Sequence, residues 1–205
     1  KLNEDARTNL PLLLYHLVKS IVIYSCMKII LLKHGDKYTA NDVNCQAEKI
    51  RKYCDHEILC LTEDPTDVII GITPIPERPR LTKWWNKLHA FRSDFPIMDR
   101  CVLFDLDIDI IGNPFPTIEK INWDKPHFIH DYWKKDLDHR PHAYETEINS
   151  SIFAWTPHKN PEFWQIFACN IDYNTRKYKG IDRYIWDQKL NYGTFDDEIH
   201  TNIVL

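Results

Sequence analysis

Residues 101–112 read Cys-Val-Leu-Phe-Asp-Leu-Asp-Ile-Asp-Ile-Ile-Gly, an apolar run broken at alternate positions by the carboxylates Asp105, Asp107 and Asp109. A strand with apolar residues on both faces belongs in a buried parallel sheet, where an unpartnered carboxylate carries a heavy desolvation penalty. Something positive must therefore meet these acids. At a period of two they project to one face, and hard oxygen donors at that spacing suit Mg²⁺ or Mn²⁺ better than zinc. Alternating acids and aliphatics also describe a strand with one wet face. Val102, Leu103, Phe104, Ile110 and Ile111 do not alternate, however, and argue for burial at both ends. Metal binding is accordingly expected at Asp105 and Asp107, at the carboxyl end of the strand, where open α/β sheets bind ligands. Asp109 serves equally well as a turn cap before Gly112-Asn113-Pro114.

The acids need a sheet to hold them, and the surrounding chain alternates strand-like and helix-like segments. Strands are expected over 29–32, 57–61 and 68–75, and again over 102–109, 128–133 and 148–155. Helices are expected over 40–53, opened by Thr39 or Asn41 as a cap, and over 84–91, 162–170 and 181–190. The polar turn Thr62-Glu63-Asp64-Pro65 separates two of the strands. This is an α/β plan, and 205 residues with 43% hydrophobic content suffice for one core in one domain.

A formal charge of −4 with scattered Lys and Arg leaves no electrostatic footprint for nucleic acid. Six cysteines without CxxC pairs favour reduced thiols in a cytosol-like, cytoplasmic setting. Residues 1–26 read as an N-terminal extension, with the core fold occupying 27–205. Residues 10–32 never give 18 charge-free positions, so no clear membrane span is expected, and Glu4 and Asp5 stand where a signal peptide carries positive charge. Asn149-Ser150-Ser151 matches a glycosylation acceptor, which is idle without a secretory signal. His127, His130, His139 and His142 lie in a polar, Pro-punctuated stretch and read as surface residues.

Taken together, the strand 29–33, the turn 61–65, Trp84-Trp85-Asn86-Lys87-Leu88, Phe104-Asp105-Leu106-Asp107 and the run 147–155 occur in the order found in GT-A glycosyltransferases. The chain resembles that family over about residues 27–190. The Trp-Trp-x-Lys segment before the DxD strand is similar to glycosyltransferases encoded by chlorella viruses, a likeness that implies capsid glycans as acceptors and the host cytosol as location. The resemblance implies a mainly parallel Rossmann-like sheet flanked by helices. It also implies transfer of a sugar from a nucleotide sugar, with a UDP-sugar such as UDP-glucose expected, to a glycan or glycoprotein acceptor.

By the same resemblance Asp107 is the principal ligand of Mn²⁺ or Mg²⁺, and Asp105 shares the metal or holds the ribose. The stretch from Lys33 to Tyr38 matches the nucleotide-binding edge, with Gly35 allowing close backbone approach to the base and Tyr38 stacking on it. Lys87 matches a position that reaches a phosphate or sugar oxygen. Asn149 and Ser150 match a turn that reads sugar hydroxyls, with Ser151 where glycine is common. His200 is a candidate third metal ligand.

Two registers compete for the downstream acid. Gly180-Ile181-Asp182 resembles a helix start that aims a carboxylate at the sugar, and Asp187-Gln188-Lys189-Leu190-Asn191 resembles a signature of retaining relatives. Asp182 is preferred because a carboxylate is favoured in the first turn of a helix; Asp187 is the alternative. Two other classes fit part of the pattern. Val102-Leu-Phe-Asp-Leu-Asp107 also resembles the first motif of haloacid-dehalogenase phosphatases, with Asp105 as nucleophile and Asp196-Asp197 as a late acidic pair. The Gly-Thr turn of that family is missing after Asp107. A non-catalytic carbohydrate-binding module accounts for the aromatics but not for acids on a buried strand.

Overall fold

The computed structural model describes residues 27–131 and 146–205; the expected extension over 1–26, Trp133, His139 and His142 lie outside them. The chain runs β1 (Met27–Lys33), α1 (Ala40–Arg51), β2 (Glu57–Thr62) and β3 (Gly71–Pro74) into a 3-10 helix at Lys83–Phe91. Then come β4 (Arg100–Phe104), β5 (Asp109–Ile110), α2 (Phe115–Glu119), β6 (His127–His130) and β7 (Ile148–Trp155). It ends with α3 (Glu162–Ala168), α4 (Ile171–Lys177), α5 (Ile181–Asp187), β8 (Gly193–Thr194), a 3-10 turn at Asp197–Thr201 and β9 (Ile203–Val204).

Seven strands form one mostly parallel sheet in the order β3-β2-β1-β4-β7-β6-β8, and β5 pairs with β9 in a small second sheet. β3, β2, β1 and β4 are mutually parallel, whereas β7 runs antiparallel to both β4 and β6. Alternation along β1 divides the core between the two faces. Ile29 and Leu31 pack with Val43, Ala47 and Ile50 of α1. Ile30 and Leu32 pack with Trp85, Leu88, Phe163, Phe167 and Tyr184. Both faces are covered, as a largely parallel sheet requires.

The expected single α/β domain with a mainly parallel, helix-flanked sheet is the architecture found. Local chemistry explains its best-defined boundary. Thr39 caps α1: its hydroxyl accepts from the Asp42 amide at 3.3 Å, and the Asp42 carboxylate accepts from the Thr39 amide at 2.7 Å. The segment read as a helix from 84 is instead 3-10, with a period of three. Trp85, Leu88 and Phe91 therefore stack on one buried row, and Trp84 and Lys87 share another.

One expectation needs correcting. The acidic strand does not continue through Asp109; β4 stops at Phe104, and Asp105 to Ile108 form a turn. The turn is pinned from α1, where buried Gln46 donates to the carbonyls of Ile108 at 3.0 Å and Asp105 at 3.4 Å. The three acids consequently do not share a strand face. Asp109 begins β5 and pairs with Lys49 at 2.8 Å, rather than capping the following turn.

Candidate active site

The carboxyl ends of β1 and β4 open into a cleft of about 730 Å³, within the range of small-molecule sites. Of the residues expected from sequence, Gly35, Tyr38, Lys87, Asp105, Asp107, Ser150 and Asp182 line it. Five segments far apart in sequence supply the walls, and each is placed by a different local device.

The loop after β1 forms one wall. Gly35 sits at φ 65°, a left-handed conformation that disfavours side chains, and its amide donates to Glu63 at 2.6 Å. The loop then reaches across to the turn after β4. The Tyr38 hydroxyl donates to the Asp107 carboxylate at 2.6 Å, and the Lys37 ammonium donates to the same oxygen at 3.0 Å. Burial alone pushes Asp107 upward, but these two hydrogen bonds hold its carboxyl below the usual carboxylate range. The Tyr38 and Asp107 partners in turn raise Lys37 above the ordinary lysine value. The Lys37 ammonium lies 4.5 Å from the centre of the Tyr38 ring, so one ring face is already covered.

Asp105 lies deeper. Its amide extends the β4–β7 ladder by donating to the Ser151 carbonyl at 2.8 Å, and its carboxylate meets Lys87 at 2.7 Å. Burial pushes the Asp105 carboxyl above the usual range; Lys87 opposes that, while the charges of Asp107 and Asp182 add to it. Lys87 also donates to the Ser150 carbonyl at 2.9 Å and hydroxyl at 3.3 Å. β7 is irregular here: Phe153 pairs with Phe128 of β6, but Asn149 pairs with the next residue, Ile129. The bulge leaves the Ser150 amide to donate to the Asp182 carboxylate at 3.0 Å. The opposite wall holds Trp84, beside Gly180: a methyl group at Gly180 would lie 3.7 Å from the indole nitrogen.

Other expected residues lie elsewhere. Lys33 turns towards the end of β2, where its ammonium meets the Asp64 carbonyl at 3.1 Å and carboxylate at 3.4 Å. Asn149 accepts from the Ser151 amide at 2.7 Å, closing its own turn, and does not line the cleft. Asp187 belongs to a different surface, bonded to Tyr178 at 2.8 Å and Lys177 at 3.3 Å and lining a groove with Trp186 and Tyr192. The cleft thus takes in Asp182 and leaves Asp187 outside. His200, on the turn Asp197–Thr201, and the acidic pair Asp196-Asp197 are not among the cleft residues either. Sequence reading missed Gln46 as part of this architecture, and it gave Lys37 and Trp84 no individual role although both lie in segments it singled out. The Thr39-x-x-Asp42 cap next to Lys37 marks the helix entry, but nothing local links Lys37 to Asp107, 70 residues away.

Among the described residues no group of three or more His, Cys, Asp or Glu gathers to hold a metal ion. On the turn after β4 the cleft offers two carboxylates, Asp105 and Asp107, with Asp36 and Asp182 as further carboxylates and His34 as a nitrogen donor elsewhere in its lining. The pair on the turn fits Mg²⁺ or Mn²⁺, which take one or two protein carboxylates and complete their shell with phosphate oxygens and water.

No protein-family model matches the chain, and no curated protein does. Solved structures do. The galactosyltransferase LgtC, in complex with donor and acceptor sugar analogues, superposes with a TM-score of 0.58 at 10% identity, over 82% of this chain and 73% of LgtC. The apo form of the glycosyltransferase GlyE from Streptococcus pneumoniae TIGR4 gives 0.52 at 12% identity, over 84% of this chain and 45% of GlyE. The chain thus spans less than half the length of GlyE. At such identities the likeness is one of fold: the protein has the mixed α/β architecture of GT-A glycosyltransferases. Among the described residues no helix is long and apolar enough to cross a membrane.

Proposed function

We propose that the protein is a glycosyltransferase that moves a sugar from a nucleotide sugar, a UDP-sugar such as UDP-glucose, onto a glycan or glycoprotein acceptor. One observation carries the reading: in this fold, Asp105, Asp107 and Asp182 converge with Lys87 on a single cleft at the carboxyl ends of β1 and β4. Asp105 and Asp107 would hold Mn²⁺ or Mg²⁺, which when bound neutralises the charge on the departing nucleoside diphosphate. Lys37 stands beside Asp107 as a further positive charge at that end. The open face of Tyr38 and the backbone at Gly35 form the wall for the nucleoside. Asp182, held by the Ser150 amide, faces the reacting end. In an inverting reaction its carboxylate takes the proton of the acceptor hydroxyl; in a retaining one it stabilises the positive charge that develops on the sugar ring. The phosphatase reading is disfavoured because Asp105 and Asp107 are not followed by that family's Gly-Thr turn and the late acidic pair Asp196-Asp197 does not line the cleft.

Calorimetric titration with UDP in the presence and absence of Mn²⁺ tests the proposal, followed by assay of UDP release from UDP-glucose. Binding that needs both Mn²⁺ and Asp107, with release accelerated by an acceptor, is expected. Metal-independent binding in the Asp107→Ala variant would overturn the metal assignment. A phosphoryl group trapped on Asp105 would overturn the reaction class.

A further inference from the structure

Lys87 occupies an unusual place for a charged side chain. It sits on the 3-10 helix Lys83–Phe91, flanked by the buried row Trp85, Leu88 and Phe91, and its side chain is only 6% exposed. An ammonium has three N–H donors. Here three acceptors surround it: the Asp105 carboxylate at 2.7 Å, the Ser150 carbonyl at 2.9 Å and the Ser150 hydroxyl at 3.3 Å. No donor is left over for a phosphate or a sugar. The acceptors belong to two different elements, the turn after β4 and the bulge in β7. Ser150 in turn passes its amide to Asp182 at 3.0 Å, at the start of α5. A single buried cation therefore ties together the two deepest carboxylates of the cleft, one directly and one through the residue it grips by both hydroxyl and carbonyl. Those carboxylates would otherwise repel one another, since they share the cleft with Asp107.

We infer that Lys87 is a positioning residue, which sets Asp105 and Asp182 relative to each other and does not itself contact the donor. The inference deepens the glycosyltransferase reading and rests on it for its catalytic half. It departs from the sequence expectation, in which Lys87 reaches a phosphate or sugar oxygen. Asp105 and Asp182 act at different ends of the transferred group, so their separation is the geometric quantity that matters; a misplacement of about 1 Å in such a site costs on the order of 10²-fold in rate.

The test compares wild type, Lys87→Met, Asp182→Asn and the double variant, using UDP with Mn²⁺ for binding and UDP-glucose for turnover. A positioning role predicts that Lys87→Met lowers kcat by about 100-fold in the wild-type background and by less than about 3-fold once Asp182 is already Asn, because both changes disable one unit. A lysine bound to donor would instead give equal losses in both backgrounds, and that multiplicative result would overturn the inference. A second readout does not depend on activity. Losing the grip on Ser150 should move the amide proton resonance of Ser150 towards its position in Asp182→Asn, and an unmoved resonance in Lys87→Met would refute the tether. If Lys87→Met does not fold, Lys87→Gln keeps a donor for Asp105 but cannot serve three acceptors, and the same two comparisons apply. Absence of UDP binding by the wild type would overturn the transferase reading and with it the catalytic half; the amide resonance then judges the tether alone.

Discussion

Breaking the buried pair between Lys87 and Asp105 from one side should be far more damaging than removing both charges. At 2.7 Å, and with an effective dielectric of 20, the attraction is about 6 kcal/mol before desolvation is subtracted. Leaving one partner of a fully buried pair unpaired costs about 3–5 kcal/mol, an upper bound here because the Asp105 side chain is 22% exposed. For a chain of this size that corresponds to a fall in Tm of roughly 6–20 °C, at about 2–4 °C per kcal/mol. Lys87→Met and Asp105→Leu should each show a loss of this order in urea titration and calorimetry. The double variant replaces the pair with apolar side chains and should lie within about 2 kcal/mol of wild type, because the desolvation penalty disappears with the charges. The coupling between the two substitutions is then several kcal/mol. If the double variant instead loses the sum of the two single losses, the pair is not buried as a unit and the reasoning from its geometry fails.

Asp182→Asn should cut transfer by orders of magnitude while leaving UDP affinity nearly unchanged, since the lost group acts at the reacting centre; Asp187→Asn, turned away towards Tyr178, should change kcat by less than about 3-fold. The reverse ranking in steady-state kinetics would restore the Asp-Gln register. Thr39→Ala should destabilise the fold by about 1 kcal/mol in denaturant titration through loss of the α1 cap, and a loss near zero would show that the cap is redundant. His89 is fully buried with both ring nitrogens unpartnered, and burial pushes its pKa down to about 4. Because the unfolded chain takes up that proton first, stability contributed by the neutral ring is present above about pH 6.5 and is lost as pH falls towards 4, by about 3 kcal/mol in all. His89→Leu should flatten that limb of the stability–pH curve, and an unchanged slope would place the titration elsewhere.

Much of this fold is written in local pattern. The run 148–155 was legible as a strand to the residue, because Ile148 and the segment from Ile152 to Trp155 put apolar or aromatic side chains at both boundaries of β7. Thr39 and Asp42 fix the start of α1 by chemistry that a sequence displays directly. The end of β4 is different. Nothing in Phe104-Asp105-Leu106-Asp107 announces a turn; it is held by Gln46, about sixty residues earlier and itself a polar residue that sequence alone would leave on the surface. α4 was missed because only Ile171 interrupts its polar run with an aliphatic side chain, although Asn170 as cap and Arg176-Lys177 in the last turn were readable signals. At the site, acids were found because an acid in an apolar run is conspicuous. That Tyr38 and Lys87, themselves singled out, would bond to those acids was not legible, because Tyr38 and Lys37 reach Asp107 and Lys87 reaches Asp105 only once the sheet is in place.

The strand order has a consequence for how the chain comes to be folded. The central ladder joins Lys28 to Cys101 and then Cys101 to Trp155, pairings that lie 73 and 54 residues apart along the chain. Loops of that length must close before the pairings reward them, which makes folding slow relative to a helical protein of equal size. During synthesis, β1 and β4 can pair long before β7 emerges. Until it does, β4 presents an open hydrogen-bonding edge in which Cys101 to Phe104 are destined for burial on both faces. An edge of that kind recruits other chains. Asp182 follows later still, so a nascent chain carries the aggregation hazard of its centre well before it carries a complete cleft. A holdase during expression should therefore raise the yield of active protein more than any change at the surface of the finished fold, and slower translation, which lengthens the wait for β7, should lower it.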